Sequence, residues 1–240
     1  MFPIRDVNPT RIRPLVTLAV VAANVIVFFL IQPQESPAAD EFAYRNAAIA
    51  CEITTGEPLD FAEIRGDLCV KRALDVQPFP EKQVHLAVLV SMFLHAGLAH
   101  IAFNMWSLWI FGNNVEEAFG HLGYGAFYLA SGIAATVGFV VANPDTTVPL
   151  VGASGAIAGV MGAYLVLFPR HRVLTLVFFY VVAIPAVTFL GLWFLSQFLL
   201  AGEESGIAWE AHVAGFAFGV LAALLLRRSL LTRVGTVAID

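Results

Sequence analysis

The stretch Val151-Gly-Ala-Ser-Gly-Ala156 opens a strongly apolar segment that runs from about Gly152 to Phe168. In a helix drawn through this segment, Ser154, Ala158 and Gly162 fall on one face. Small residues on one face allow a second helix to approach closely inside a membrane. A serine at the mouth of such a helix is also a candidate nucleophile. The stretch does not match the Gly-x-Ser-x-Gly turn of soluble hydrolases, so it gives that fold no support.

The composition indicates that most of the chain lies in a lipid bilayer. The 240 residues are 59% hydrophobic and only 13% charged, and the mean hydropathy is +0.79. A soluble domain of this size would carry more charge on its surface. The net charge of −5 argues against nucleic acid as a partner. The common motifs for metal and nucleotide binding do not occur, so we expect no metal and no cofactor.

The long apolar blocks predict an all-α membrane protein, a bundle of six transmembrane helices. A membrane span needs about 20 apolar residues, and the second and fourth predicted helices are shorter than this. We expect these two to be buried in the bundle, where lipid does not set their length. The predicted helices are, approximately, Leu15–Ile31, Leu98–Phe111 with an apolar lead-in from Val84, Leu122–Ala142, Gly152–Phe168, Val173–Leu200 and Ile207–Leu226.

The distribution of basic residues orients this bundle. Eight of the 13 Lys and Arg residues fall on the side that holds both termini, and short basic segments stay in the cytoplasm. We therefore expect a cell membrane protein (plasma or inner membrane) with cytoplasmic termini and a site that opens to the outer side. The first helix is interpreted as an anchor, because its apolar run is too long for a signal peptide.

This orientation divides the chain into five expected parts. The loop after the first helix is the only segment large enough for a small subdomain outside the membrane. The parts are a cytoplasmic N-terminus at 1–14, a first transmembrane helix at 15–31, an outward-facing loop at 32–83, the five-helix remainder of the bundle at 84–226 and a cytoplasmic tail at 227–240.

Four polar residues are expected at similar depth in the outer half of the membrane. His100 and Asn104 lie on the second helix, Ser154 begins the fourth, and His212 lies about one turn into the sixth. A hydroxyl, a base and N–H donors are the parts of a nucleophilic hydrolase. We therefore predict Ser154 as nucleophile, His212 as base, and the two remaining side chains with the Ser154 backbone N–H as an oxyanion hole. Hydrogen bonding between helices is the structural alternative for these groups.

Five further residues are expected to support this site. Gly215 and Gly219 lie on the same helical face as the candidate base, so the sixth helix can approach the small face of the fourth, which includes Gly155. His95 is expected to hold the first loop onto the bundle. Glu116 is expected to tie down the turn that follows the second helix.

The motifs that carry these residues resemble those of the rhomboid family of intramembrane serine proteases. The matching motifs are His-Ile-Ala-Phe-Asn at 100–104, Gly-Ala-Ser-Gly at 152–155 and Ala-His-Val-Ala-Gly-Phe-Ala-Phe-Gly at 211–219. They come in the family's order on its second, fourth and sixth helices, and the similarity covers roughly residues 80–226. The resemblance implies that Ser154 is the nucleophile, that His212 is the general base, and that His100 and Asn104 form the oxyanion hole.

The chain is therefore predicted to be an intramembrane serine endopeptidase. It would hydrolyse peptide bonds in or next to transmembrane segments of membrane proteins by a Ser-His dyad. Transmembrane protein substrates and the lipid bilayer are the expected partners, and the oligomeric state is left open. A non-proteolytic rhomboid-like adaptor is one alternative, but it is expected to lack the serine or the histidine. A small polytopic transporter is another, and it would favour inverted repeats and broken helices.

Two further hypotheses concern substrate entry and the cysteines. On the predicted fifth helix, Trp193 and Phe194 are expected to form a lateral gate, together with Pro185. Cys51 and Cys69 both lie in the outward loop, on the side expected to be oxidising. Their spacing does not test the geometry of a bridge, so a disulfide and two free thiols both remain open.

Overall fold

The computed structural model describes residues 1–70, 75–199 and 206–235, which form helices and one small sheet. The helices are α1 (Leu15–Ile26, continued by a π-helical segment Val27–Ile31), α2 (Ala38–Asn46), α3 (Ala50–Thr55), α4 (Phe61–Gly66), α5 (Val84–Ser91), α6 (Leu98–Phe119), α7 (His121–Ala142), α8 (Ser154–Leu167), α9 (Ala186–Leu199) and α10 (Trp209–Val234). The strands are β1 (Phe2–Asp6), β2 (Arg172–Val177) and β3 (Tyr180–Pro185).

Helix α8 lies at the centre of the bundle, and most of its side chains are buried. It packs against α10, α7 and α6. Its contact with α10 is made by backbone on backbone. A Cβ built on Gly215 would lie 2.1 Å from the Gly155 carbonyl oxygen, and one on Gly219 would lie 1.9 Å from the Gly159 oxygen. Small residues at these positions therefore set the distance between α8 and α10.

Gly219→Ala is expected to destabilise the bundle, because the new methyl group would overlap the Gly159 carbonyl and force the two backbones apart. Overpacking of this kind costs about 1–3 kcal/mol. Gly191→Ala in α9 is the matched control, since nothing lies within 4 Å of a Cβ built there. Alanine is the better helix former, so the control should keep or raise stability. Thermal unfolding in detergent checks the pair, and equal midpoints would contradict the packing.

A three-stranded antiparallel sheet replaces the first half of the predicted fifth helix. β2 and β3 form a hairpin with Phe178 and Phe179 at its tip, and β1 pairs with the other edge of β2. The predictions of an all-α protein and of a helix over Val173–Leu200 were therefore wrong here, because α9 begins only at Ala186. β-branched and aromatic residues are dense in this run and favour strands. Pro185 would also break a helix that continued through it.

The strand β1 packs along α6. Part of the predicted N-terminal segment at 1–14 is therefore an element of the fold. The indole Nε1 of Trp106 donates a hydrogen bond to the Pro3 carbonyl oxygen at 2.7 Å. At the other end of the strand, Asn114 Nδ2 donates to the Asp6 carboxylate at 2.7 Å. Since β2 and β3 contact α9, the sheet bridges from α6 to α9.

Several helix ends differ from the predicted ones. The second predicted helix was expected to be short and to end near Phe111, but α6 has 22 residues and ends at Phe119. The apolar lead-in from Val84 is a separate helix, α5, so the segment at 84–226 contains more than five helices. α10 continues into the predicted tail as far as Val234. Leu200, the last residue of the predicted fifth helix, lies outside the described residues.

Two of the described helices, α7 and α10, are long and apolar enough to cross a bilayer by themselves. The first helix, α8 and α9 are apolar but shorter. α6 is long but carries several polar residues, including His100, Asn104 and Glu116. Length and composition therefore identify two of the six predicted spans.

Residues 32–83, here called the disulfide lobe, contain the three short helices α2 to α4; residues 71–74 within them lie outside the described chain. A small apolar cluster at the centre of the lobe contains Ile49, Cys51 and Leu59. Cys51 and Cys69 form a disulfide, with their Cα atoms 5.7 Å apart. Of the two open alternatives, the structure therefore contains the disulfide and not two free thiols.

A buried ion pair also stabilises the lobe. Lys82 Nζ lies 2.5 Å from a Glu52 carboxylate oxygen, and both side chains are almost fully buried. Burial raises the pKa of Glu52 and lowers the pKa of Lys82, while each charge opposes the shift of the other. Lys82 Nζ also donates to the Tyr44 carbonyl oxygen at 2.7 Å, and this bond joins α2 to the end of the lobe.

Candidate active site

Ser154 is the first residue of α8, and the chain before it is held by α5. The Gly152 N–H donates to the Ser91 carbonyl oxygen at 2.9 Å. Gly152 has a φ of +128°, and a Cβ there would lie 2.9 Å from the His100 ring. Only glycine fits this position without strain. The backbone at Gly152 therefore brings the start of α8 directly beside His100.

His212 in α10 faces Ser154 across the close contact between α8 and α10. Its Nε2 lies 2.8 Å from the Ser154 Oγ, which is a hydrogen-bonding distance. The two side chains come from positions 58 residues apart, and they meet because glycine allows the two backbones to touch. A serine hydroxyl bonded to an imidazole nitrogen is the arrangement of an activated nucleophile.

Gln197 in α9 makes the second contact of the imidazole, and the sequence reasoning missed it. The His212 Nδ1 lies 2.7 Å from the Gln197 Oε1, and the Gln197 Nε2 donates to the Trp193 carbonyl oxygen at 3.1 Å. Because the amide nitrogen is engaged there, Oε1 accepts the Nδ1 hydrogen, and the His212 Nε2 is left as an acceptor for the serine. Gln197 is only 4% exposed. An amide in a largely apolar helix was the signal that could have found it.

His100 and Asn104 supply N–H groups beside Ser154. The Ala96 N–H donates to the His100 Nδ1 at 3.3 Å, so the ring hydrogen resides on Nε2, at the edge that faces Gly152. Asn104 is 6% exposed, and its Nδ2 has no hydrogen-bond partner in the described part of the chain. An unpaired buried donor is unfavourable, so this N–H is available to an oxygen of a bound ligand.

One cavity of about 1330 Å³ is lined by Ser154, His212, His100 and Asn104. Trp193 and the chain between α7 and α8 line it as well. Small-molecule pockets span about 300–1,000 Å³. The cavity therefore has room for an extended peptide segment together with water.

His95 and Glu116 anchor the two ends of the first helix. The His95 N–H donates to the Gln32 Oε1 at 3.0 Å, and its carbonyl oxygen accepts from the Gln32 Nε2 at 2.6 Å. The Glu116 carboxylate accepts from the N–H and the hydroxyl of Thr17 at 2.8 and 2.7 Å, and it contacts the His121 Nδ1 at 2.6 Å. The backbone of His95, and not its imidazole, thus bonds to the start of the disulfide lobe, and Glu116 caps the first turn of α1.

Trp193 and Phe194, the predicted gate, pack against α10. The Trp193 ring centroid lies 6.1 Å from that of His212, and the Phe194 ring is stacked 4.8 Å from Phe216. Trp193 therefore forms a wall of the cavity beside the imidazole. Movement of either aromatic ring would change contacts with α10.

The fold is a largely helical bundle, and its site has a serine hydroxyl, an imidazole and N–H donors at one end of the central helix. Residues 82–229 match the family of the Rhomboid domain, over more than half of the chain. The chain therefore belongs to the rhomboid family, which is membrane-embedded and includes serine proteases, and the predicted resemblance is confirmed.

Several curated proteins are similar to parts of this chain. Rhomboid protease GluP of Bacillus subtilis is 40% identical over 85 residues, which cover 35% of this chain and 16% of that protein. Rhomboid protein 1, mitochondrial, of Saccharomyces cerevisiae is 29% identical over 147 residues, 57% of this chain and 40% of the relative. Presenilin-associated rhomboid-like protein, mitochondrial, of Bos taurus is 32% identical over 142 residues, 55% and 36% of the two chains. The matches thus span less than half the length of these relatives.

Proposed function

We propose that this chain is an intramembrane serine endopeptidase that cleaves peptide bonds in or next to transmembrane segments of other membrane proteins. The observation that carries the proposal is the 2.8 Å contact between the His212 Nε2 and the Ser154 Oγ. The unpaired Nδ2 of Asn104 in the same cavity supports it. Binding of a partner without cleavage does not require a serine hydrogen-bonded to a histidine beside an unpaired N–H donor, so these contacts favour a protease over an adaptor.

In the proposed mechanism each group has a role that its contacts support. His212 Nε2 takes the hydroxyl proton as the Ser154 Oγ attacks the substrate carbonyl carbon. The Ser154 backbone N–H, the Asn104 Nδ2 and the His100 Nε2–H would stabilise the oxyanion. His212 then gives the proton to the leaving amine, and water, activated by the same base, hydrolyses the acyl-enzyme. Gln197 holds the imidazole in the tautomer that both transfers need, as the third residue of a serine protease triad does.

The proposed membrane arrangement has six spans: the first helix with its π-helical segment, α6, α7, α8, α9 and α10. α8 has 14 residues, about 21 Å of helix, which is less than the roughly 30 Å hydrocarbon core. A short central helix packed against the longer α6, α7 and α10 leaves Ser154 below one membrane surface, where water can reach it. We place that surface, with the disulfide lobe, on the outer side of a cell membrane and both termini in the cytoplasm.

A fluorophosphonate probe tests the proposal directly. The purified protein in detergent should take up one probe per chain, and peptide mass mapping should locate the adduct on Ser154. The same treatment should stop cleavage of a model transmembrane substrate. An adduct on another serine, or cleavage that survives full labelling of Ser154, would refute the proposed mechanism.

Gln197→Leu should lower kcat by about 10–100-fold, by analogy with the loss of partners that orient metal-bound histidines. KM should stay unchanged, because Gln197 contacts His212 and not the substrate. Gln197→Glu keeps an oxygen acceptor for the Nδ1 hydrogen and should recover most of the activity. Thr188→Ala is the control, because Thr188 lies on the exposed surface of the same helix, α9. Wild-type kcat in Gln197→Leu would exclude the orienting role.

A further inference from the structure

The disulfide lobe is bonded to the segment that leads into the active site, residues 143–153, here called the active-site loop. The contacts cover much of the loop and come from several parts of the lobe. Cys51 N–H donates to the Thr146 carbonyl oxygen at 3.1 Å, Leu150 N–H to the Ala48 carbonyl oxygen at 2.8 Å, Thr54 Oγ1 to the Pro144 carbonyl oxygen at 3.1 Å, and Thr147 Oγ1 to the Asp67 carboxylate. The lobe therefore fixes the backbone of the active-site loop from outside.

Ser91, the last residue of α5, bonds to both the lobe and the active-site loop. The Ala48 N–H donates to the Ser91 Oγ at 2.6 Å, and the Gly152 N–H donates to the Ser91 carbonyl oxygen at 2.9 Å. Ala48 and Ser91 are both buried. Gly152 precedes Ser154 by two residues and touches His100 without room for a Cβ. A displacement of Gly152 would therefore move the Ser154 backbone N–H and the His100 ring, which are donors of the proposed oxyanion hole.

The disulfide links two parts of the lobe that contact the active-site loop. The apolar cluster of the lobe is small, and small cores rely on covalent links for stability. One end of the bridge is Cys51, whose backbone bonds to Thr146, and the other is Cys69, two residues after Asp67, which bonds to Thr147. Two neighbouring residues of the active-site loop are thus held by segments that a single covalent bond keeps together.

We infer that the disulfide lobe is a positioning element for the active-site loop, so that proteolysis depends on the Cys51–Cys69 bridge. The inference rests on the proposed function. Reduction by a dithiol adds two electrons and two protons to the bridge and gives two thiols, while the reagent closes to its own disulfide. Thr146 and Thr147 then lose their common anchor, and the loop can leave the position in which the Ser154 N–H and the His100 edge face one cavity.

Reduction of the wild-type protein is the first test. Dithiothreitol should lower kcat/KM for a transmembrane substrate by about 10–100-fold, since a displacement of about 1 Å can cost that much. The variant Cys51→Ser/Cys69→Ser should be equally slow with and without the reagent. Intact mass after alkylation shows whether the bridge was opened. Unchanged wild-type activity with the bridge open would overturn the inference, whereas an oxidised protein that neither cleaves substrate nor takes up fluorophosphonate would instead refute the proposed function.

A second set of variants decides the matter even if the cysteine variant does not fold. Thr147→Val removes the hydroxyl that binds Asp67, and it should lower kcat by about tenfold or more without changing the thermal midpoint. Thr147→Ser restores the hydroxyl and should restore kcat. Arg65→Ala is the control, because it removes only exposed contacts of the same lobe, the ion pair with Asp75 and the cation–π contact with Phe61. Equal kcat in all three variants and the wild type would overturn the inference.

Discussion

Ser154→Ala is expected to abolish cleavage of a transmembrane substrate while the protein stays folded. In a soluble serine protease, loss of the nucleophile lowers kcat by about 10⁶-fold. The fold should tolerate the change, because Ser154 lies in a stretch of small residues with Gly155 and Ala156. The change removes only the hydroxyl that contacts His212. Cleavage in detergent, together with thermal unfolding, measures both expectations.

Ser131→Ala is the matched control for the loss of a hydroxyl inside the bundle. Ser131 is buried on α7 beside Gly159 of α8, and its Oγ has no hydrogen-bond partner among the described residues. This variant should cleave at the wild-type rate. If Ser154→Ala retained activity within tenfold of the wild type, the serine mechanism would be wrong.

The sequence predicts the helices whose apolar runs are bounded by polar or turn residues. The third predicted helix, Leu122–Ala142, differs from α7 by one residue, because Gly120 and Asn143 flank it. The second helix was predicted to stop near Phe111, where Gly112 and two asparagines follow. α6 nevertheless continues to Phe119, because Asn114 and Glu116 find partners on β1, α1 and His121.

The β-hairpin could not be separated from a helix by hydrophobicity alone. The run Val173–Val182 is almost continuously apolar, and such a run is compatible with a buried strand or with a helix. Pro185 was the local signal against one helix from Val173 onward. The pairing of β2 with Phe2–Asp6 joins segments about 170 residues apart, and neither local pattern indicates it.

The site shows a similar division between local and long-range information. Ser154 and His212 could be proposed because each is a polar group in an apolar segment, in a motif that resembles those of the rhomboid family, and because the small residues beside them allow the two helices to approach. The amide of Gln197 in a largely apolar helix marks it as unusual, but its contact with His212 depends on how α9 packs beside α10, which no local pattern indicates. The bridge between Cys51 and Cys69 could not be predicted either, because the distance between the two residues depends on how α3 and α4 fold together.

His212→Ala is expected to abolish cleavage to about the same extent as Ser154→Ala. Removal of the base alone costs a serine protease about as much as removal of the nucleophile. The hydroxyl of Ser154 would lose its acceptor at 2.8 Å, and it is a weak nucleophile without one. Labelling of Ser154 by a fluorophosphonate should therefore disappear as well. His85→Ala, on the exposed surface of α5, should leave both readouts unchanged.

Chemical rescue separates a missing base from a damaged fold. In His212→Ala the missing imidazole leaves a space of its own size at the wall of the cavity of about 1330 Å³. The Gln197 Oε1, which contacts His212 in the wild type, lies beside this space. Imidazole in the buffer should bind there and restore part of the labelling of Ser154. It should restore nothing in Ser154→Ala, which has no nucleophile. Undiminished labelling of His212→Ala without imidazole would show that the base lies elsewhere, because the hydroxyl would then be activated without the residue that contacts it.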